Sequence, residues 1–136
     1  MGLATFTENC SGLVRINVNV RSLTPGLHGI HIHEKGDCTG PSFTSAGGHY
    51  NPLGKEHGLN NPEGPHAGDL PNLEVGNNGT GDMNITTDLV TLSPGPTTLF
   101  TANGTALVIH AEPDDQITNP SGNSGARIIC GVIEKK

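Results

Sequence analysis

The stretch GLHGIHIHEKGD, residues 26 to 37, holds His28, His31 and His33, three of the seven histidines in the chain. His31 and His33 are separated by one isoleucine. On a strand, residues i and i+2 project from the same face. The two rings therefore stand side by side, within reach of one metal ion, while Ile30 and Ile32 face a core. Imidazole is the commonest metal ligand. The other reading of such a pair is one exposed ring and one satisfied by a hydrogen bond.

The segment GGHYNPLGKEHGLNNPEGPHAGD carries His49, His57, His66 and Asp69 at spacings of eight, nine and three. Three imidazoles and one carboxylate make a tetrahedral zinc set. A Gly/Pro-rich excursion of this kind has little apolar content to hold its shape, and a metal cross-link to a sheet would replace the missing core. Scattered exposed histidines are the alternative. His110 ends the apolar run ALVIH, where a strand gives way to a loop. Six of the seven histidines thus gather where one bimetallic site could use them.

The elements that must position these groups are strands. LVRINVNV, residues 13 to 20, alternates Val14, Ile16, Val18 and Val20 against Arg15, Asn17 and Asn19, which predicts a half-buried strand. Further candidate strands are GLATFTE, HGIHIHE, LPNLEV, TGDMNITT, GTALVIH and the closing run ARIICGVI, expected to be buried. TPG at 24 to 26 and GNNG at 76 to 79 are turn signals. Residues 35 to 68 and EPDDQITNPSGNSG are long loops, and loops of such length in compact domains are usually functional. Seven strands without a helix predict an antiparallel sandwich or flattened barrel.

The size of 136 residues fits one domain with its own core. The 20 Gly and 10 Pro fit short strands joined by turns, and the apolar runs argue against disorder. A formal charge of −6 without a basic cluster excludes a typical nucleic-acid binder. No apolar run reaches the length of a membrane span. MGLATFTENCSG shows neither the basic start nor the apolar block of a secretory signal. Cys10, Cys38 and Cys130 allow at most one internal bridge.

GLHGIHIHEKGDC, SAGGHYNP, KEHG, PHAGDLPN, ALVIHAEPDD and SGNSGARIICGVI resemble the copper/zinc superoxide dismutases, especially the bacterial branch. The likeness runs from about residue 2 to residue 133. It implies an all-β, immunoglobulin-like fold, a flattened antiparallel Greek-key barrel or sandwich. Seven of the family's eight strands are visible, so residues 1 to 136 would be one such domain without its first strand. By resemblance, His31, His33, His49 and His110 would hold copper, and His49, His57, His66 and Asp69 would hold zinc, with His49 bridging both. Copper must cycle between two valences, and an all-imidazole site suits both.

The implied reaction converts two superoxide anions and two protons to O₂ and hydrogen peroxide. His49 would be ligand and proton carrier at once, and Arg127 would dock the anion with its fork of donors. Asp114 would join a copper histidine to a zinc histidine and fix their orientation. His28 would be structural, Cys38 and Cys130 would form a disulfide, and Cys10 would remain free or link two chains. The acidic chain needs a local positive funnel for its anionic substrate. No lysine lies between Asp114 and Arg127, leaving Arg127, the metals and Lys35 or Lys55 to supply it.

A missing first strand would expose hydrogen-bonding edges. That predicts a homo-oligomer, such as a dimer, which a solution mass near 14 kDa would contradict. The family and the disulfide favour a secreted, periplasmic or cell-surface location, with the cytoplasm as the alternative. Two other functions compete with the dismutase. One is a non-catalytic copper/zinc-binding or copper-delivery protein with this fold. The other is a zinc hydrolase, which needs an open zinc position that four protein ligands would close.

Overall fold

The computed structural model describes residues 2 to 135. Its strands are β1 (Gly2–Glu8), β2 (Val14–Val20), β3 (Gly26–His28), β4 (Ile30–His33), β5 (Leu73–Val75), β6 (Gly81–Thr87), β7 (Ala106–His110) and β8 (Arg127–Val132). One sheet has the order β1-β2-β6-β5-β3 and the other β4-β7-β8, all neighbours antiparallel. The two sheets stay separate, so the sandwich form of the expected architecture is the one adopted.

Local sequence explains the first sheet. In β2 the β-branched Val14, Ile16, Val18 and Val20 are buried and Arg15, Asn17 and Asn19 are exposed, as alternation requires. Ala4 and Phe6 of β1 and Ile85 of β6 pack partly buried against the same core. The turn at 76 to 79 closes with the Gly79 amide donating to the Gly76 carbonyl at 2.9 Å, and Gly79 takes φ 82°. That backbone conformation is open to glycine at no steric cost.

The run HGIHIHE is divided between the sheets rather than lying in one. Its first part continues β3, which pairs with β5, and its second is β4, which pairs with β7. The break falls at Gly29, whose amide donates to Glu112 and whose carbonyl accepts from His110, both at 2.8 Å. A Cβ there would lie 2.6 Å from that of Ser124, so only glycine allows the crossing. Period-two patterning continues through such a break, which is why the sequence reads as one strand.

LPNLEV shortens to Leu73–Val75, since Pro71 has no N–H to offer a ladder. The closing strand also differs from expectation. Ile128 is 37% and Val132 40% exposed, because β8 pairs only with β7 among the described residues.

Ile16, Ile30, Ile32, Leu70, Leu73 and Leu99 are fully buried between the sheets. Each such side chain contributes roughly 1.5 to 3 kcal/mol. Between residues 35 and 68 the buried hydrophobic side chains are only Ala46, Tyr50 and Ala67. Burial alone therefore holds this segment weakly. A disulfide between Cys38 and Cys130 ties it to β8 across 92 residues.

Candidate metal centre

β4 is buried on both faces. Ile30 and Ile32 enter the core, while His31 and His33 face the long loop at 0% and 1% exposure. Strand register brings in the third imidazole. Ile30 pairs with Ile109, and His110 follows it at the end of β7, where the ladder to β8 shifts. The ring centroids of His31 and His110 lie 4.8 Å apart, and those of His33 and His110 5.7 Å apart.

The loop is docked on β4 by backbone bonds. Ile32 donates its amide to Gly68 and accepts from the Tyr50 amide, both at 2.8 Å, and Gly68 donates to the Tyr50 carbonyl at 2.9 Å. These bonds set His49 opposite His33 and Asp69 opposite His31. A Cβ on Gly68 would meet the Ile32 carbonyl oxygen at 2.3 Å, so the approach depends on glycine at this position.

Backbone carbonyls and carboxylates fix which nitrogen of each ring faces inward. His33 Nδ1 donates to Gly47 at 2.9 Å and His110 Nδ1 to Gly125 at 3.1 Å. His31 Nε2 donates to Asp114 Oδ2 at 2.6 Å. The nitrogens left buried without a hydrogen-bond partner include His31 Nδ1, His33 Nε2, His49 Nε2 and His110 Nε2. One ring nitrogen from each of these four residues lies within 4.8 Å of the others. Leaving such a group unsatisfied costs about 1 to 3 kcal/mol, and converging lone pairs on four imidazoles are what a redox-active copper ion takes.

A second donor set adjoins the first. His49 Nδ1 lies 3.1 Å from both His66 Nδ1 and Asp69 Oδ1. Asp69 Oδ1 is 3.0 Å from His57 Nδ1 and 3.4 Å from His66 Nδ1. The His57 nitrogen lies close to the carboxylate yet is not aligned to donate to it, as befits two atoms aimed at a common point. A tetrahedral zinc ion with donors at about 2.0 Å has donor–donor edges of about 3.3 Å, which these four distances match. His31 also approaches His49, His57 and Asp69 within 4.8 Å. Its Nε2 is committed to Asp114 and its Nδ1 is counted in the first set, while His66 Nδ1, 3.1 Å from His49 Nδ1, offers a fourth donor here. The residues present therefore fit a copper and a zinc ion side by side.

Asp114 spans the two sets, accepting from His31 Nε2 at 2.6 Å and from His57 Nε2 at 2.9 Å. Asn72 holds it in place, donating Nδ2 to its carbonyl at 2.9 Å and accepting its amide at 2.8 Å. Asp69 Oδ2 accepts the amides of Gly58 and His66, both at 2.9 Å. His28 lies outside both sets, with Nδ1 2.8 Å from the His110 carbonyl and Nε2 2.8 Å from that of Thr24.

Burial dominates the electrostatics. It pushes His31 down to about 3, His33 to about 2 and His110 to about 4, so all three rings are neutral and keep their lone pairs at pH 7. Burial lowers His49 as well. On His57 burial also acts downward, but the bond to Asp114 and the negative charges of Asp69 and Asp114 beside it outweigh it and raise the ring to about 9. Burial would raise Asp69 and Asp114. The imidazoles of His49, His57 and His66 and the Gly58 amide around the first, and hydrogen bonds from His31 and His57 to the second, hold both far below the usual carboxylate range.

Arg127 begins β8 opposite His110 and donates Nη1 to the Phe43 carbonyl at 2.8 Å. Its charge bears on both His33 and His110. The six histidines and Asp69 expected from the sequence are thus brought together, with Asp114 between the two sets and Arg127 paired with His110, while Cys38 and Cys130 form their bond to each other. The anchoring carbonyls of Gly47 and Gly125, and Asn72, were not expected. Their bonds span 14, 15 and 42 residues, a distance at which sequence leaves no local signal. Cys10 is free and exposed.

The family profile for copper/zinc superoxide dismutase (SODC) matches residues 1 to 133. "Superoxide dismutase [Cu-Zn] 2" of Aquifex aeolicus is 49% identical over 135 residues, covering 98% of this chain and 78% of that protein. "Superoxide dismutase-like protein YojM" of Bacillus subtilis is 52% identical over 135 residues, covering 98% of this chain and 69% of that protein. The crystal structure of a SOD-like protein from Bacillus subtilis superposes with a TM-score of 0.93 at 47% identity, over 96% of this chain and 88% of that one. With both metal sets formed on the expected fold and a profile match along nearly its whole length, the chain belongs to the copper/zinc superoxide dismutase family.

Proposed function

We propose that the protein disproportionates superoxide, holding copper through His31, His33, His49 and His110 and zinc through His49, His57, His66 and Asp69. The observation that carries this reading is the shared imidazole. His49 offers Nδ1 to the set that includes Asp69 and has Nε2 free for the set on β4 and β7. Copper supplies the one-electron couple between Cu(II) and Cu(I).

The chain's own groups do the rest. Nε2 of His49 can carry a proton whenever it is not a ligand, which places a proton donor beside the reacting anion. Arg127 keeps one N–H on the Phe43 carbonyl and has further donors in its rigid fork to orient superoxide. The Phe43 bond fixes the direction of that fork. Asp114 holds His31 and His57 at set angles. Balanced over one cycle, two superoxide anions and two protons give one O₂ and one hydrogen peroxide.

Metal analysis together with superoxide decay followed by pulse radiolysis tests the reading. The expected result is one copper and one zinc per chain, with turnover that His31→Ala abolishes. A second reading, a non-catalytic copper-binding or copper-delivery protein, draws on the "superoxide dismutase-like" relative. Copper bound at one per chain without turnover would decide for it. Histidine at all four copper positions and Arg127 beside them favour the enzyme.

A further inference from the structure

The loop that follows β7 bonds to the zinc-side loop through Asp114, Ile117 and Asn119, and between them stands Gln116. It is 9% exposed and takes φ 65°, a left-handed conformation that costs energy outside glycine and persists only where the surroundings fix it. Four hydrogen bonds supply that fixing. Its amide donates to Asp114 Oδ1 at 2.6 Å. Its side-chain Nε2 donates to the Leu70 carbonyl at 3.1 Å, and Oε1 accepts from the Leu59 amide at 3.4 Å. Its own carbonyl accepts from the Asn60 amide at 3.0 Å.

The bonds reach both ends of the zinc-side segment. Leu59 and Asn60 come just after His57 and Gly58, and Leu70 follows Asp69. The Gln116 carbonyl also presses on Gly58, where a Cβ would come within 2.1 Å of the oxygen. Gly58 has φ 118° and donates its amide to Asp69 Oδ2. A side chain with both a donor and an acceptor is needed here, because one end of the segment offers a carbonyl and the other an amide.

We propose that Gln116 is a positioning residue for the zinc half of the centre, clamping His57 and Asp69 against Asp114 from one anchor point. The role rests on the assignment of zinc to His49, His57, His66 and Asp69. It touches no proposed metal donor atom and acts by holding the backbone on either side of two of them. Partners of this kind are worth about 10- to 100-fold in metal affinity.

The test uses full-length protein loaded with copper and zinc. Gln116→Leu keeps nearly the same volume and removes both side-chain bonds. Zinc release into a chromogenic chelator should accelerate about 10-fold or more, with copper content at the wild-type level. Cobalt(II) substituted for zinc should show a displaced visible band. A core variant remote from the loop, Ile16→Val, controls for mere destabilisation and should leave zinc release and the cobalt band unchanged.

Zinc release within about twofold of wild type in folded Gln116→Leu would overturn the role. So would parallel loss of both metals in proportion to the fall in Tm. If Gln116→Leu does not fold, Gln116→Glu keeps the acceptor for Leu59, loses the donor to Leu70 and is read by the same criteria. Wild-type protein that takes up no zinc overturns the zinc assignment and this role with it. Normal zinc uptake with unchanged release in the variants overturns the role alone.

Discussion

The two halves of the metal centre are built on different footings. His31, His33 and His110 stand on β4 and β7, whose ladder runs from Ile30–Ile109 to His33–Ala106 over a fully buried layer. His57, His66 and Asp69 stand on a segment where Ala46, Tyr50 and Ala67 are the only buried hydrophobic side chains from residue 35 to residue 68. The first half is positioned by strand register, two backbone carbonyls and, at His31, the Asp114 carboxylate. The second is positioned by side-chain bonds to Asp69, Asp114, Asn72 and Gln116, by docking on Ile32, and by the disulfide. Apolar packing thus sets one ligand group, and polar cross-links set the other.

Chelation should separate the halves most. Structural zinc contributes roughly 10 to 16 kcal/mol in small zinc-dependent domains. Stripping the metals should lower the opening free energy of amides in residues 49 to 69 by about 5 kcal/mol or more, measured by hydrogen exchange. Amides of β2 and β6 should change far less. Equal loss in both regions would remove the contrast.

Next in size is the disulfide. Cys38→Ser should cost about 4 to 5 kcal/mol in urea unfolding, from the loop entropy released in the unfolded chain.

Asp114→Asn comes third. It leaves one acceptor for two imidazoles and should weaken metal retention about 10- to 100-fold, read by competition with a chelator. Because Asp114 touches both halves, both metals should be affected, unlike in the Gln116 variants.

The last contrast is a pH slope. In metal-free protein His31 and His110 have folded pKa values of about 3 and 4, below the 6.5 of the unfolded chain. The unfolded state therefore binds more protons in between, so stability should fall as pH drops from about 6.5 toward about 3. His57, raised to about 9, acts in the opposite sense: its contribution is complete below about 6.5 and fades as pH rises through 9. Thermal denaturation across this range should show stability decreasing on both sides, and a flat profile would contradict it.

The same contrast decides what the sequence could reveal. Alternation in β2 and the His31–His33 pair were legible because period-two patterning is local. The spacing of His49, His57, His66 and Asp69 pointed to a metal, but their convergence depends on bonds such as Ile32 to Gly68, which join distant positions. The division of one run at Gly29 was invisible, because a strand that changes sheets keeps its alternation. Gln116 gave no signal either, since an isolated glutamine in a polar loop reads as solvated.

The bond between Cys38 and Cys130 makes most of the chain a closed ring. The exposed positions of the long loop, Thr39 through Ser42 among them, lie inside that ring. A protease that cuts there would leave both products joined, and they would migrate as one species until a thiol reductant is added. Backbone damage in this exposed stretch need not, then, release the segment that bears the ligands.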